Sequence, residues 1–263
     1  MRFGICAPFR EVAQLKSISF DYLEENVRRF LVPEKPQEDF EALWREASKL
    51  PISIEAANSF IPPDIPLVAT PTQQVDTARL ERFVKTALQR AEQVGIRVIV
   101  FGSGDARKCP PGYDHDDAIR QIGDHLATWS RWAGEHGVEI VLEPLRYQET
   151  NTLNTVAECG ALVASLSGSG ARLLADMYHM LWNGEDPKTI VPYGSLLSHV
   201  HVAEKEGRTA PGQHGEDFRP YFAALHRGGY DQRISIECKW GSMPAEVDLG
   251  IKVLRDQWAN IAR

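Results

Sequence analysis

The sequence predicts a single (β/α)8 TIM barrel of the α/β class over residues 1–263. First, the chain repeats a short apolar run followed by a longer amphipathic segment about eight times, and strands that alternate with helices pair in parallel. Second, eight such units in 263 residues match the usual size of this fold. Third, no GxGxxG or GxxxxGK motif follows the first run, which weakens the case for a doubly wound open sheet, the runner-up.

Eight apolar runs are short enough to be strands. In chain order they are RFGICA (2–7), FDYLEE (20–25), ISIEAA (52–57), RVIVFG (97–102), VEIVLE (138–143), RLLADM (172–177), LSHVHVA (197–203) and RISIEC (233–238). Amphipathic segments between them predict helices over 38–50, 78–95, 118–137 and 155–166, with a last helix over 246–263. The proline-rich segment 60–74 predicts a long loop after the third strand.

The composition is that of an ordinary globular protein with a sizeable core. Hydrophobic residues make up 43% of the chain and charged residues 25%. The 36 acidic residues outnumber the 29 Lys and Arg, and a net charge of −7 argues against nucleic acid as the main partner. The N-terminus lacks a signal-peptide core, and no apolar stretch approaches the length of a membrane span, so we expect a cytoplasmic protein with no membrane partner.

The four cysteines do not suggest a metal knuckle or a disulfide framework. They are spread widely and contain no CxxC pair: Cys6, Cys109, Cys159 and Cys238. This pattern is typical of a protein in a reducing compartment.

The last four predicted strands end in polar residues that should meet. In a barrel of this type, active-site residues lie at the carboxyl ends of the strands. Alternation along each strand points Glu143, Asp176 and Glu237 into the barrel mouth, because their apolar neighbours suit the helix-covered exterior. His201 shares one face with His199, which lies one layer deeper and is expected to orient a ligand or to pack in the core.

Three carboxylates and one imidazole in one buried mouth predict a divalent cation. The carboxylates repel one another unless a cation neutralises them. An oxygen-rich set with one imidazole suits Mn2+, Mg2+ or Co2+ better than a structural zinc, although a single Zn2+ would also fit. Each acid alone is as easily a helix cap or a salt-bridge partner. Four such residues at the ends of successive strands favour a site.

Four short motifs follow one another along the second half of the chain. They are LEP at 142–144 with Glu149 beyond it, ADxxHM at 175–180, HVH at 199–201 followed by RxxPG at 208–212, and SIE at 235–237. In this order they resemble the xylose-isomerase-like barrel superfamily, also described as the AP endonuclease 2-type domain. The resemblance is greatest to its sugar isomerase and epimerase branch, which includes D-tagatose 3-epimerase and its relatives.

The resemblance implies a set of roles for these residues. One divalent metal, most often Mn2+, would be held by Glu143, Asp176, His201 and Glu237. The two glutamates would lie on opposite faces of the sugar and move a proton next to its carbonyl through an enediolate. His179, with Glu149 behind it, and Arg208 would bind substrate oxygens. Trp240 would replace the aromatic wall that the epimerases place after the final Glu, although a surface or oligomer contact is an equal alternative.

The expected function is therefore that of a divalent-metal-dependent ketose isomerase or epimerase. An inosose dehydratase or a hydroxypyruvate isomerase uses similar chemistry and stays open as an alternative. An endonuclease IV-like nuclease is disfavoured, because it needs histidines on early strands and the first histidine is His115. A barrel that only binds carbohydrate is a further alternative. The expected partner is a small sugar, and a homodimer or a homotetramer is compatible with the resemblance.

The sugar should lack a phosphate group. The loops after the last two strands carry the available cations Lys205, Arg208 and Lys239, which nearby acidic residues offset. Neither loop contains a glycine-rich anion nest at the start of a helix.

Overall fold

The eight predicted strands form a closed parallel barrel in sequence order. The computed structural model describes residues 1–261. The strands are β1 (Arg2–Cys6), β2 (Tyr22–Asn26), β3 (Ile54–Asn58), β4 (Val98–Phe101), β5 (Glu139–Leu142), β6 (Arg172–Asp176), β7 (Leu197–Val202) and β8 (Arg233–Ile236). Strand β8 pairs with β1 and closes the barrel. The predicted fold class is confirmed.

Helices follow the strands and cover the outside of the barrel. They are α1 (Phe9–Val12), α2 (Gln37–Ala47), α3 (Thr77–Val94), α4 (His115–Glu135), α5 (Val156–Ser165), α6 (Met177–Asn183), α7 (Arg219–Arg227) and α8 (Met243–Ala259). A π-helical turn spans Val27–Leu31, and a 3-10 segment spans Pro187–Leu196. Segment 60–74 is a loop, as predicted, with one isolated bridge between Thr70 and Gln73.

The predicted helices all occur, with shifted ends. The starts of α4 and α8 each move three residues earlier, to His115 and Met243. Helix α8 begins at Met243 instead of 246 because Pro244 stands in its first turn, where a missing backbone N–H costs no hydrogen bond. Residues 262–263 of that prediction lie outside the described residues. Among residues 1–261, no helix combines the length and the apolar character that crossing a bilayer requires.

Alternation along the strands separates two cores. Outward-facing residues such as Leu142, Leu173 and Ile236 belong to the large core between strands and helices. The interior of the barrel holds a small apolar cluster of Ala56, Val98, Val100, Val141 and Leu174. Two positions beyond these residues, towards the carboxyl ends, the inward side chains become polar, as at Asn58, Glu143 and Asp176. The apolar cluster is therefore the floor of a polar mouth.

Candidate metal centre and active site

The four predicted ligand residues meet at the carboxyl end of the barrel. Glu143, Asp176, His201 and Glu237 each offer one donor atom, and these atoms all lie within 4.8 Å of one another. His201 is fully buried and Asp176 is 1% exposed. Although β5 and β8 end one residue earlier, the backbone N–H groups of Glu143 and Glu237 donate to Phe101 and Val202 of the neighbouring strands at 3.1 and 3.0 Å. These hydrogen bonds hold the backbone from which both carboxylate side chains extend.

Asp176 has one satisfied oxygen and one free oxygen. Its Oδ1 accepts hydrogen bonds from the backbone N–H groups of Tyr178 and His179 in the first turn of α6, at 2.7 and 3.2 Å. Its Oδ2 is buried and has no hydrogen-bond partner among residues 1–261. It lies 3.9 Å from Nδ1 of His201. A buried carboxylate oxygen without a partner is costly, and a cation at this point would satisfy it. The donor set therefore fits a divalent metal ion.

The surroundings of the two glutamates shift their pKa values in opposite directions. Burial raises the pKa of Glu143. The hydrogen bond from His201 lowers this pKa, but the charges of Glu237 and Asp176 raise it further, and the net shift is upward. Burial also opposes ionisation of Glu237, but the Arg208 guanidinium and the His201 ring outweigh it and lower the pKa. Nδ1 of His201 lies between the two carboxylates, 3.2 Å from Glu143 and 3.3 Å from Glu237. The mouth thus holds one carboxyl group that favours a proton and one that does not.

Three of the four predicted substrate-binding residues line the cavity above these acids, which encloses 260 Å³. His179 is 1% exposed, and its Nδ1 accepts the backbone N–H of Arg146 at 3.2 Å. Its Nε2 has no hydrogen-bond partner within the described residues. Glu149 pairs with the Arg146 side chain at 2.7 Å instead of contacting His179 through a hydrogen bond. Arg208 donates to the Glu237 carboxylate and stacks over the ring of Tyr178 at 4.6 Å.

Trp240 lies elsewhere in the mouth. It lines a neighbouring cavity at the ends of β1, β2 and β8. Its indole N–H donates to the carbonyl of Cys6 at 3.1 Å, which fixes the orientation of the ring. The structure therefore brings Trp240 to the barrel mouth, on the wall of a different cavity from His179 and Arg208.

The first half of the barrel supplies Glu24, which the sequence reasoning missed. Glu24 on β2 is fully buried and accepts hydrogen bonds from Nε2 of His201 at 2.9 Å, Nε2 of His199 at 2.7 Å and the Ser235 hydroxyl at 2.7 Å. Burial opposes its ionisation, but the two imidazoles outweigh that effect and hold the pKa of this carboxyl well below its usual range. Since Nε2 of His201 donates to Glu24, its Nδ1 is left to face the acids.

The position of His199 agrees with its predicted place one layer below His201. The two rings lie 5.0 Å apart. The signal that could have revealed Glu24 is an acid on the inward face of the run FDYLEE.

A second missed residue is Arg107, which supports Glu143 from behind. Its guanidinium is fully buried and donates to the backbone carbonyls of Glu143 at 2.9 Å, Leu153 at 3.2 Å and Phe101 at 3.4 Å. Gly102 leaves the space that the Glu143 carboxylate occupies, because a Cβ there would come within 2.2 Å of Oε2. Both residues lie in the segment GSGDAR after β4, whose two glycines were the available signal.

The family model for the xylose isomerase-like TIM barrel matches residues 12–257. Among curated proteins, a putative hydroxypyruvate isomerase of Streptomyces coelicolor is 30% identical over 141 residues, which cover 51% of this chain and 50% of that protein. A ketose 3-epimerase of Arthrobacter globiformis is 30% identical over 130 residues, which cover 49% of this chain and 45% of that protein. The chain thus matches about half the length of these curated relatives.

Solved structures resemble the chain over nearly its whole length. D-allulose 3-epimerase from Methylomonas sp., in complex with D-allulose, has a TM-score of 0.81 at 19% identity and covers 98% of this chain and 97% of its own. The 3-keto-D-glucoside 4-epimerase YcjR of E. coli has a TM-score of 0.75 at 19% identity, with coverages of 98% and 99%. An IOLI protein with a bound zinc atom has a TM-score of 0.75 at 15% identity, with coverages of 100% and 99%. At these identities the likeness shows the fold.

Proposed function

The chain belongs to the xylose isomerase-like TIM barrel family, and from this membership and the site we propose that it is a divalent-metal-dependent sugar isomerase or epimerase. The observation that carries the proposal is the convergence of Glu143, Asp176, His201 and Glu237 in the mouth, with the carboxylates of Glu143 and Glu237 3.2 and 3.3 Å from Nδ1 of His201. The surroundings of the two glutamates shift their pKa values in opposite directions, which agrees with separate acid and base roles. The names of relatives, which include a ketose 3-epimerase, support the same class.

One divalent ion would be held by Glu143, Asp176, His201 and Glu237, with Mn2+ as the first choice and Mg2+, Co2+ or Zn2+ as alternatives. When bound, such an ion polarises a carbonyl and stabilises the negative charge that develops on its oxygen. The buried, unpartnered Oδ2 of Asp176 supports this assignment. The oxygen-rich donor set supports Mn2+ over a structural zinc.

The two glutamates would move the proton. One takes a proton from the carbon next to the substrate carbonyl, and the electron pair of that C–H bond passes to the carbonyl oxygen, giving an enediolate. The other returns a proton to carbon, and the carbonyl forms again with no net change of oxidation state. Return to the opposite face of the same carbon inverts it. Return to the neighbouring carbon, with the hydroxyl hydrogen passing to the former carbonyl oxygen, moves the carbonyl.

The remaining side chains of the cavity would hold the sugar. Nε2 of His179, which has no hydrogen-bond partner among the described residues and lies 3.5 Å from Asp176 Oδ2, would contact a substrate oxygen. Arg208 is oriented by Glu237 and by stacking on Tyr178. Glu149 would accept a hydroxyl hydrogen beside Arg146. The carboxylates of this cavity supply acceptors for hydroxyl groups and repel a phosphate, which supports an unphosphorylated sugar.

A proton-exchange screen tests the proposal. The purified protein is analysed for metal and incubated in D2O with a panel of free and glycosidically linked keto sugars, and NMR follows deuterium entering at carbon. We expect one strong divalent site per chain and exchange at a carbon next to the carbonyl, with an epimer or a carbonyl isomer as product. Loss of water instead would indicate a dehydratase, as for an inosose. Metal binding without exchange of any sugar would leave a carbohydrate-binding barrel and refute the proposal.

A further inference from the structure

The mouth of the barrel contains two cavities that meet at Asn58 and Glu237. The cavity around the acids, here called the reaction cavity, encloses 260 Å³. The other, here called the side cavity, encloses 350 Å³. The Asn58 amide donates to Oε1 of Glu237 at 3.1 Å where the two meet. Clefts for ligands of drug size enclose about 300–1,000 Å³, so the reaction cavity alone lies below this range and the two together lie within it.

The side cavity is lined by two kinds of polar group: the carboxylates of Glu24 and Glu25 are hydrogen-bonded within the protein, whereas Glu11, Asn26 and Arg29 keep polar atoms open to the cavity. Asn26 is 9% exposed, and its Oδ1 accepts the backbone N–H of Arg29 at 3.1 Å. Its amide nitrogen has no hydrogen-bond partner anywhere in residues 1–261. The side chains of Glu11 and Arg29, which also line the cavity, form no hydrogen bond or ion pair in the same described part of the chain. Glu11 and Arg29 are exposed, and the Asn26 amide nitrogen is not among the buried unpartnered atoms, so these groups are open to solvent and can hydrogen-bond a ligand that enters the cavity.

The chemistry of the lining fits hydroxyl groups. Glu11, Glu24 and Glu25 face the cavity against the single cation Arg29, so a phosphate or carboxylate would be repelled. Hydroxyls can donate to the Glu11 carboxylate and accept from the Asn26 amide and from Arg29. Trp240 adds an aromatic surface for the C–H face of a sugar ring, held by its hydrogen bond to Cys6. This combination of aromatic wall, acceptors and few donors is suited to a polyol.

From these observations we propose that the side cavity binds a second polyhydroxylated unit joined to the reacting sugar, so that the preferred substrate is a keto-glycoside larger than a free ketose. This inference rests on the proposed function, because the reacting unit must lie in the reaction cavity. The link between the two units would pass Asn58 and Glu237, which line both cavities.

The experiment compares three sizes of substrate. Deuterium exchange is measured with free ketohexoses, with the 3-keto derivative of methyl glucoside and with the 3-keto derivative of a glucose disaccharide. We expect kcat/KM for the disaccharide derivative to exceed the values for both smaller sugars at least tenfold. Glu11→Trp, which fills the side cavity from its rim, should reduce the ratio of disaccharide to free-ketose kcat/KM at least tenfold. Arg29→Ala, which removes a donor without adding bulk, should reduce it severalfold.

A matched substitution separates this effect from general damage. Glu38→Trp places the same side chain on exposed residue 38 of α2 and should leave the ratio unchanged. Equal or better turnover of free ketoses would overturn the inference, and so would a ratio that neither Glu11→Trp nor Arg29→Ala lowers; the proposed function would stand in both cases. Exchange with none of the sugars would instead refute the proposed function, and the inference with it.

Discussion

The two halves of the barrel contribute to the mouth in different ways. Strands β5 to β8 supply the four donor atoms of the candidate metal centre, each from a residue within one position of the end of its strand. Strands β2 to β4 supply groups that hold those residues in place: Glu24 orients His201, Asn58 contacts Glu237, and Gly102 makes room for the Glu143 carboxylate. The residues that would hold the metal and the residues that position them therefore come from opposite sides of one closed sheet.

This division has a physical reason. A donor residue must end with a free lone pair or charge in the mouth, as Asp176 Oδ2 does. A supporting residue must use its polar atoms in hydrogen bonds to other protein groups, as Glu24 does with three buried partners. Substitutions in the two halves should therefore have different effects. Those in the second half should lower turnover, and those in the first half should weaken metal binding or lower stability.

The largest effect is expected from the second half. Glu143→Gln and Glu237→Gln keep the size of the side chain but remove the basic oxygen, and general acid–base groups contribute about 10²–10⁴-fold to rate. Each substitution should lower kcat for carbon-bound proton exchange by that factor. His179→Ala and Arg208→Ala should cost less and leave metal affinity largely intact. Near-native exchange by both Gln variants on a substrate that the unaltered enzyme turns over would disprove the assignment.

A smaller effect is expected from Glu24 in the first half, since it acts through His201. Partners that orient a metal-binding histidine typically change metal affinity by about 10–100-fold. Glu24→Gln should weaken binding of Mn2+ by this factor in calorimetry, with the folded state retained as judged by circular dichroism. The adjacent Glu25→Gln is the matched control, because Glu25 accepts only backbone N–H groups, from Phe9 and Asn26, and should leave the affinity unchanged. Equal affinities for the two variants would remove Glu24 from the metal centre.

The same division explains what the sequence could predict. Glu143, Asp176 and Glu237 each follow an apolar run, so alternation and the convergence of parallel strands were enough to bring them together. Glu24 stands next to another acid, Glu25, and its role depends on contacts across the barrel that only the closed register creates.

Other features depend on loop conformation, which a strand pattern does not encode. The pairing of Glu149 with Arg146 is one example, and the place of Trp240 in the side cavity is another. The early start of α8 at Met243 follows from a proline whose preference for a first turn could have been used.

The smallest effect on turnover, and a clear effect on stability, is expected at Arg107, where the two halves meet. This side chain comes from the loop after β4 and donates to the carbonyl of Glu143, which directly follows the neighbouring strand β5. Arg107→Met keeps much of the length but removes the guanidinium donor from the Glu143 carbonyl, whereas the carbonyls of Phe101 and Leu153 keep the backbone N–H groups of Glu143 and Leu145. An unsatisfied buried group costs about 1–3 kcal/mol before relaxation. We expect a lower free energy of unfolding in urea titration, by at least one such increment. Arg120→Met is the control, because Arg120 forms exposed ion pairs on α4, which contribute little.

Because Arg107 holds the backbone of Glu143 and not its carboxylate, kcat should fall less than in Glu143→Gln, and KM should change little. A variant as stable as the Arg120 control would show that the loop after β4 holds its shape without this guanidinium, and the support of Glu143 would then rest on Gly102 and the β4–β5 ladder.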